Sequence, residues 1–188
     1  EGENFIKTGD LISLSEQQLV DCSWMNLGCN GGSMDYAFKY TKKHPLPTEE
    51  DYPYRAHGSL LKCKQKKHHG VVEATDYTDV QRQSVAQMKA AIAKQPVSIA
   101  IEADQAAFQQ YTGGIMNDVE GCGDQLDHGV LAVGYGEENG QKYWMIKNSW
   151  GADWGENGYI RVLRSDDDGE GTCGILMQPS YPETEELS

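Results

Sequence analysis

The 188 residues carry 16 Lys and Arg against 29 Asp and Glu, a formal net charge of −13, with 38% hydrophobic residues. That balance fits a globular chain with a sizeable core, and it argues against disorder and against a nucleic-acid-binding surface. The longest apolar runs, at 97–101 and 130–133, fall far short of a membrane span.

The first half reads as helices and loops. Ser13 and Glu16 form a capping box that opens a helix over 16–20. Asn30-Gly31-Gly32 is a turn, after which Ser33 caps a helix with Met34, Ala37, Phe38 and Tyr40 at near-helical spacing. Residues 44–54 hold three prolines and Glu49-Glu50-Asp51, which predicts an irregular surface connection. Lys62, Lys64, Lys66 and Lys67 with His68 and His69 read as a solvated loop. His57, Cys63, His68 and His69 match no common zinc spacing, so no metal is expected. Ser84 and Gln87 form a second capping box, with a stripe of Val85, Met88, Ala91 and Ile92, and Pro96 ends that helix.

The second half is strand-like and holds the charge imbalance. Residues 1–94 have twelve acidic and twelve basic side chains; residues 95–188 have seventeen and four. A buried strand is predicted over 97–103, two more over 129–136 and 142–148, and a further one over 158–164. Asn139-Gly140 between the middle pair signals a hairpin. The shift from helix to strand near 76–80 sets a domain boundary, giving regions 1–77 and 78–188. Asp166-Asp167-Asp168-Gly169-Glu170 reads as a solvated turn, since it lacks EF-hand spacing.

If 137–140 form a four-residue loop, residue 136 faces 141 and His128 faces 149, so His128 and Asn148 are near neighbours. An amide oxygen that accepts from one ring nitrogen fixes the tautomer and aims the other nitrogen at a nucleophile. Trp150 and Trp154 follow at once and are expected to roof the pair. Spacing alone is weak evidence for this, since a His and an Asn on adjacent strands are more often merely structural.

The wording of these segments goes further. Leu126-Asp127-His128-Gly129-Val130-Leu131-Ala132-Val133-Gly134-Tyr135-Gly136 resembles the histidine strand of papain-like cysteine proteases. Lys147-Asn148-Ser149-Trp150-Gly151 with Trp154-Gly155-Glu156-Asn157-Gly158-Tyr159 resembles their asparagine segment. Leu14-Ser15-Glu16-Gln17-Gln18-Leu19-Val20-Asp21-Cys22, Gly28-Cys29-Asn30-Gly31-Gly32, Cys173-Gly174-Ile175 and Tyr181-Pro182 match in family order. Gly-Gly-x-Met-Asp-Tyr-Ala-Phe is most similar to the cathepsin L branch.

The resemblance implies an α+β, papain-like two-lobed fold, with a mostly helical left domain and an antiparallel, β-barrel-like right domain. It implies a cysteine endopeptidase with no cofactor, in which His128 is the acid/base, Asn148 its orienter, and the cysteine thiolate is paired to the imidazolium across a cleft. The family's nucleophile motif, Cys-Gly-[Ser/Ala]-Cys-[Trp/Tyr], lies about 130–150 residues before its His and Asn, and none of the five cysteines here sits in it. The chain starts at Glu1, not Met, and is therefore expected to lack an N-terminal segment carrying the nucleophile. Family pairing joins Cys22 to Cys63 and Cys122 to Cys173. It leaves Cys29 unpaired, because its usual partner precedes the nucleophile.

By the same resemblance Gly31 and Gly32 bind an extended peptide through backbone hydrogen bonds. Met34, Ala100, Leu126, Gly129 and Gln178 line the pocket for the residue two before the scissile bond, which predicts a preference for Leu, Val or Phe there. Asp127 and Trp150 flank the His–Asn pair. Implied partners are peptide and protein substrates and an inhibitory propeptide or cystatin-like inhibitors, with no nucleic acid or membrane. The implied location is a lysosome or vacuole, or the extracellular space. Two alternatives stand beside the protease: a non-catalytic homologue that binds peptides or a partner, and a variant with Ser as nucleophile. In the native chain Cys29 is expected to react with iodoacetamide while the other four cysteines react only after reduction, a pattern that peptide mapping reads directly.

Overall fold

The computed structural model describes residues 1–58 and 63–187, so Lys62 of the basic cluster lies outside the described residues. The chain falls into two compact units, 1–78 with 182–188, and 79–181. The last seven residues therefore join the first unit, whereas the sequence runs the second region through to 188.

The first unit holds α1 (Gly2–Thr8), α2 (Glu16–Cys22), α3 (Met34–Thr41) and most of β1 (Val72–Asp79). Ser15, not Ser13, caps α2: its Oγ accepts the Gln18 N–H at 3.1 Å and donates to the Tyr52 carbonyl at 2.6 Å. Ser13 is exposed, and its carbonyl instead accepts from the Glu49 N–H. Ser33 does occupy the N-cap of α3, but its side chain makes no capping bond. Its backbone N–H goes to Asn26 Oδ1 at 2.8 Å.

The inner face of α2 is polar. Asp21 is fully buried and accepts from the Tyr52 hydroxyl at 2.7 Å, from Gln17 Nε2 at 3.1 Å and from the Arg55 guanidinium at 2.5 Å. A carboxylate without water is tolerated only where such donors surround it. This corrects the expectation for 44–54: the segment is irregular, but Tyr52 is only 2% exposed and is part of the core. Burial and the Asp21 carboxylate both push the Tyr52 hydroxyl above its ordinary pKa, so it remains a donor. A Cys22–Cys63 disulfide closes the same region. The returning C-terminal strand is tied to α1 through Lys7 Nζ to the Thr184 carbonyl, 2.8 Å, and through Glu3 to the Thr184 hydroxyl.

The second unit contains α4 (Val85–Ile92), β2 (Val97–Ile101), α5 (Ala106–Gln109), β3 (Ile115–Met116), α6 (Val119–Cys122), β4 (His128–Glu138), β5 (Gln141–Lys147) and β6 (Tyr159–Leu163), and β7 (Ser180–Glu186) starts in it. Its strands run in the order β7-β2-β4-β5-β6-β3, antiparallel except for β3 beside β6. Alternation in β2 buries Val97, Ile99 and Ile101 completely, against Ala132, Trp144, Ile146, Ile160 and Val162. The α4 stripe of Val85, Met88, Ala91 and Ile92 is buried, and the helix closes at Ile92, before Pro96. β2 stops at Ile101 rather than running to 103, because the Ala103 N–H is taken by Asp127 Oδ1 at 2.8 Å. A Cys122–Cys173 bridge spans 51 residues, a closure worth about 4 kcal/mol in the chain-entropy account. Among the described residues no helix is long and apolar enough to cross a membrane.

The α2 cap is checked by urea denaturation. Ser15→Ala is expected to cost about 1–2 kcal/mol, and Ser13→Ala to stay within about 0.5 kcal/mol.

Candidate active site

His128 is the first residue of β4, opposite Ile101 of β2, and Asn148 is the first residue beyond β5. The hairpin between these strands is tighter than the four-residue loop expected. Glu138 pairs with Gln141, leaving only Asn139 and Gly140 in the turn, with φ of 51° and 78°. Positive φ at both positions defines the type I′ turn that suits strand twist, and Asn-Gly adopts it most readily. Gly136 thus faces Tyr143 instead of Gln141. A bulge between Ala132 and Gly134 takes back one residue, so that Leu131 faces Lys147 instead of Asn148, where the four-residue loop would have set it against Ile146.

The Asn148 N–H donates to the Gly158 carbonyl at 3.0 Å, and its side chain is 7% exposed. Its Oδ1 accepts from the Ser149 N–H at 2.8 Å and lies 2.8 Å from His128 Nε2. A backbone N–H only donates, so the atom facing Ser149 is the amide oxygen, and His128 Nε2 must carry the proton. Nδ1 is then the free acceptor of the ring. Asn148 Nδ2 is buried without a partner among the described residues.

Trp150 stacks on His128, with centroids 5.1 Å apart and planes at 30°. Trp154 has a different task from the roof expected of it. It packs against Phe108, Tyr111 and Trp150, and donates Nε1 to the Gln109 carbonyl at 3.3 Å. Phe108 of α5, fully buried, sits edge-on to Trp150 at 5.4 Å and to His128 at 6.4 Å. Sequence reasoning missed it, because a four-residue helix is too short to show a period.

The loop bearing these tryptophans is gripped by charge. Glu156 takes a bidentate contact from Arg161 at 2.9 Å and accepts the Gly114 N–H at 2.8 Å. Arg161 also reaches Glu138 at 3.0 Å. The Arg161 guanidinium holds the Glu156 carboxyl below its ordinary range. Burial raises the Tyr111 hydroxyl, which donates to the Gly114 carbonyl at 2.5 Å. No spacing rule joins Glu156, Arg161 and Gly114, and only the fold shows the cluster.

The other sequence-derived positions divide between the units. In the second, Ala100 pairs directly with Gly129, and Leu126 lies beside Gly174, where an added Cβ would approach it to 2.7 Å. Gln178 is exposed. Asp127 is exposed, and its carboxylate serves Ala103 at the end of β2 rather than the His128 ring. In the first unit Gly31 has φ 106°, a conformation open chiefly to glycine, and an added Cβ at Gly32 would strike Asn26. Met34 opens α3, half-buried. Cys22 and Cys63, and Cys122 and Cys173, are bridged, and Cys29 is free and exposed. Among the described residues no cluster of His, Cys, Asp and Glu could hold a metal ion.

The family profile described as papain family cysteine protease matches residues 1–183. The probable cysteine protease RD21B of Arabidopsis thaliana is 53% identical over 185 residues, covering 97% of this chain and 39% of that protein. The solved cysteine protease CMS1MS2 of Carica candamarcensis, in complex with E-64, superposes with a TM-score of 0.88 at 41% identity, over 97% of this chain and 82% of that one. The proform of the ragweed pollen allergen Amb a 11, a cysteine protease, gives a TM-score of 0.90 at 41% identity, over 97% of this chain and 49% of that one. The fold is papain-like, and the chain belongs to the papain family of cysteine proteases. It spans 39–55% of the length of the curated relatives it matches.

The Glu156 contact gives a pH signature. A carboxylate whose pKa is lowered by folding stabilises fully above its unfolded value, near 4.3, and loses that contribution as pH falls through the folded value. The difference in Tm between the native chain and Glu156→Gln is therefore expected to be largest near neutral pH and to shrink below about pH 4.

Proposed function

We propose that the protein is a cysteine endopeptidase in which His128 is the general acid/base and Asn148 its orienter. The observation that carries this reading is the 2.8 Å bond from Nε2 to the Asn148 oxygen beneath the Trp150 ring, which leaves Nδ1 to serve a nucleophile. In this reading Nδ1 takes the proton of a cysteine thiol, the thiolate attacks the scissile carbonyl, and the imidazolium returns the proton to the leaving amine. Asn148 keeps the ring in the productive tautomer through both transfers. Four of the five cysteines are committed to disulfides, and Cys29 lies outside the family's nucleophile motif. The nucleophile is accordingly assigned to a cysteine of the whole protein outside these 188 residues.

Substrate recognition is assigned to the same positions as in the sequence. Gly31 and Gly32 offer backbone groups to an extended peptide. Ala100, Leu126 and Gly129 supply small and apolar surface for the residue two before the scissile bond. Gln178 is neutral, so a basic residue gains nothing there. Papain-family relatives solved as proforms support an inhibitory propeptide as partner. The two disulfides suit an oxidising, vacuolar or secreted location.

The test uses the whole protein with peptides that differ at the residue two before the cleaved bond. His128→Ala is expected to lower kcat/KM by at least about 10³-fold and Asn148→Ala by roughly 10–100-fold, with Leu or Phe preferred over Arg. The 188-residue chain alone is expected to give no turnover. Full activity in His128→Ala, or alkylation-sensitive turnover by the isolated chain, would sink the assignment.

A further inference from the structure

The first unit carries a cavity of about 380 Å³ that none of the residues discussed above was assigned to. Its volume is at the lower end of the range for small-molecule sites, roughly 300–1,000 Å³. One wall is Trp24, whose indole is 73% exposed, next to Met25. An aromatic ring left open beside a concavity offers a ligand ring a face to stack on. A second part of the wall is made by Tyr40 and His44, whose rings lie 4.6 Å apart.

This second wall is held in place before any ligand arrives. Gln65 Nε2 contacts His44 Nδ1 at 2.7 Å, and Gln65 Oε1 receives the Tyr40 hydroxyl at 3.4 Å. Because the amide nitrogen donates, His44 Nδ1 is the acceptor and Nε2 is the donor left over. Burial lifts the Tyr40 hydroxyl to about 12, so it stays a neutral donor to Gln65.

The remaining lining residues are Ser23 and three lysines, and among the described residues no carboxylate lines the cavity. Lys42 is neutralised by Asp76 at 2.9 Å. Lys39 lies over the rings of Tyr36 and Tyr77, at 5.4 and 5.7 Å. Lys43 is exposed and makes no ion pair among the described residues. The cavity therefore combines aromatic and thioether surface, an imidazole donor and two ammonium groups, Lys39 and Lys43, with no ion-pair partner among the described residues, of which Lys39 lies over tyrosine rings. The first 94 residues carry no net charge, so the lysines make a local positive excess.

We propose that this cavity is a binding site for a small organic anion with a planar aromatic body, such as an aryl carboxylate, its ring against Trp24 and its acid group at Lys43 and His44. The site is independent of the peptidase reading, since it uses neither His128 nor Asn148.

The test titrates the whole protein with 2-naphthoate, the neutral 2-naphthamide and the cationic 2-naphthylmethylammonium, following the Trp24 indole N–H by NMR. The carboxylate is expected to shift that resonance saturably, with a Kd on the order of 0.1–1 mM, and the cation to bind at least about threefold to tenfold more weakly. Measured by isothermal titration calorimetry, so that the loss of the indole does not remove the signal, Lys43→Glu and Trp24→Leu, both at exposed positions, are each expected to weaken 2-naphthoate by about threefold to tenfold. Equal affinity for the three probes, an unmoved Trp24 resonance, or an unchanged Kd in both variants overturns the proposal.

Discussion

Register is the constraint on which the second unit depends. β4 is paired on both sides, with Ala132 opposite Val97 on β2 and opposite Ile146 on β5. Side chains alternate with a period of two, so a slip of one residue on either side would turn the buried set of one strand toward solvent. The bulge at Val133 absorbs the odd residue between the turn and the far end of the ladder. Ala132, Trp144 and Ile146 can then all face the core while the ends of the two strands bring an imidazole and an amide to 2.8 Å. The His128–Asn148 pairing is in this sense a by-product of core packing: the register that brings the two together is set by apolar side chains several residues away.

Away from the sheet, both units organise loops around a carboxylate. Asp21 gathers Tyr52, Gln17 and Arg55 in the first unit. Glu156 joins Arg161 to Gly114 in the second, and the almost buried Glu102 accepts from Gln105 and from the Gln125 N–H. A buried charge is a weak source of net stability, since desolvation offsets most of its attraction. What it does supply is discrimination, because only one loop geometry satisfies all its acceptor positions. Segments with little hydrophobic content, such as 44–54 and 149–158, need that kind of definition.

Legibility in the sequence followed the length and regularity of the signal. The stripe of α4 and the alternation of β2 were readable because period and burial coincide. The helix start at α2 was legible but ambiguous: Ser13 and Ser15 both offer a hydroxyl ahead of a helix former, and only the buried Tyr52 carbonyl chooses Ser15. The hairpin turn was visible as Asn-Gly, yet its length was not, since the flanking Glu137 and Glu138 look like loop and are strand. The closeness of His128 and Asn148 did not depend on that detail, because the turn and the bulge displace the pairing in opposite directions. Phe108 and the Glu156–Arg161–Gly114 cluster had no local signature at all. Their meaning lies in contacts between segments tens of residues apart.

β7 begins beside Ser98 in the second unit, while its later residues serve the first, through Thr184 against α1 and the Leu187 N–H on the Val71 carbonyl. The first unit is thus discontinuous in the chain, and the second is an insertion within it. Synthesis from the N-terminus therefore completes the second unit's segments before the first has received its last strand. Order of assembly is reversed relative to order of translation: the region made earlier is the one that must wait, with buried Glu3 and Asn4 lacking their bonds to Thr184 and Glu186 until those residues arrive.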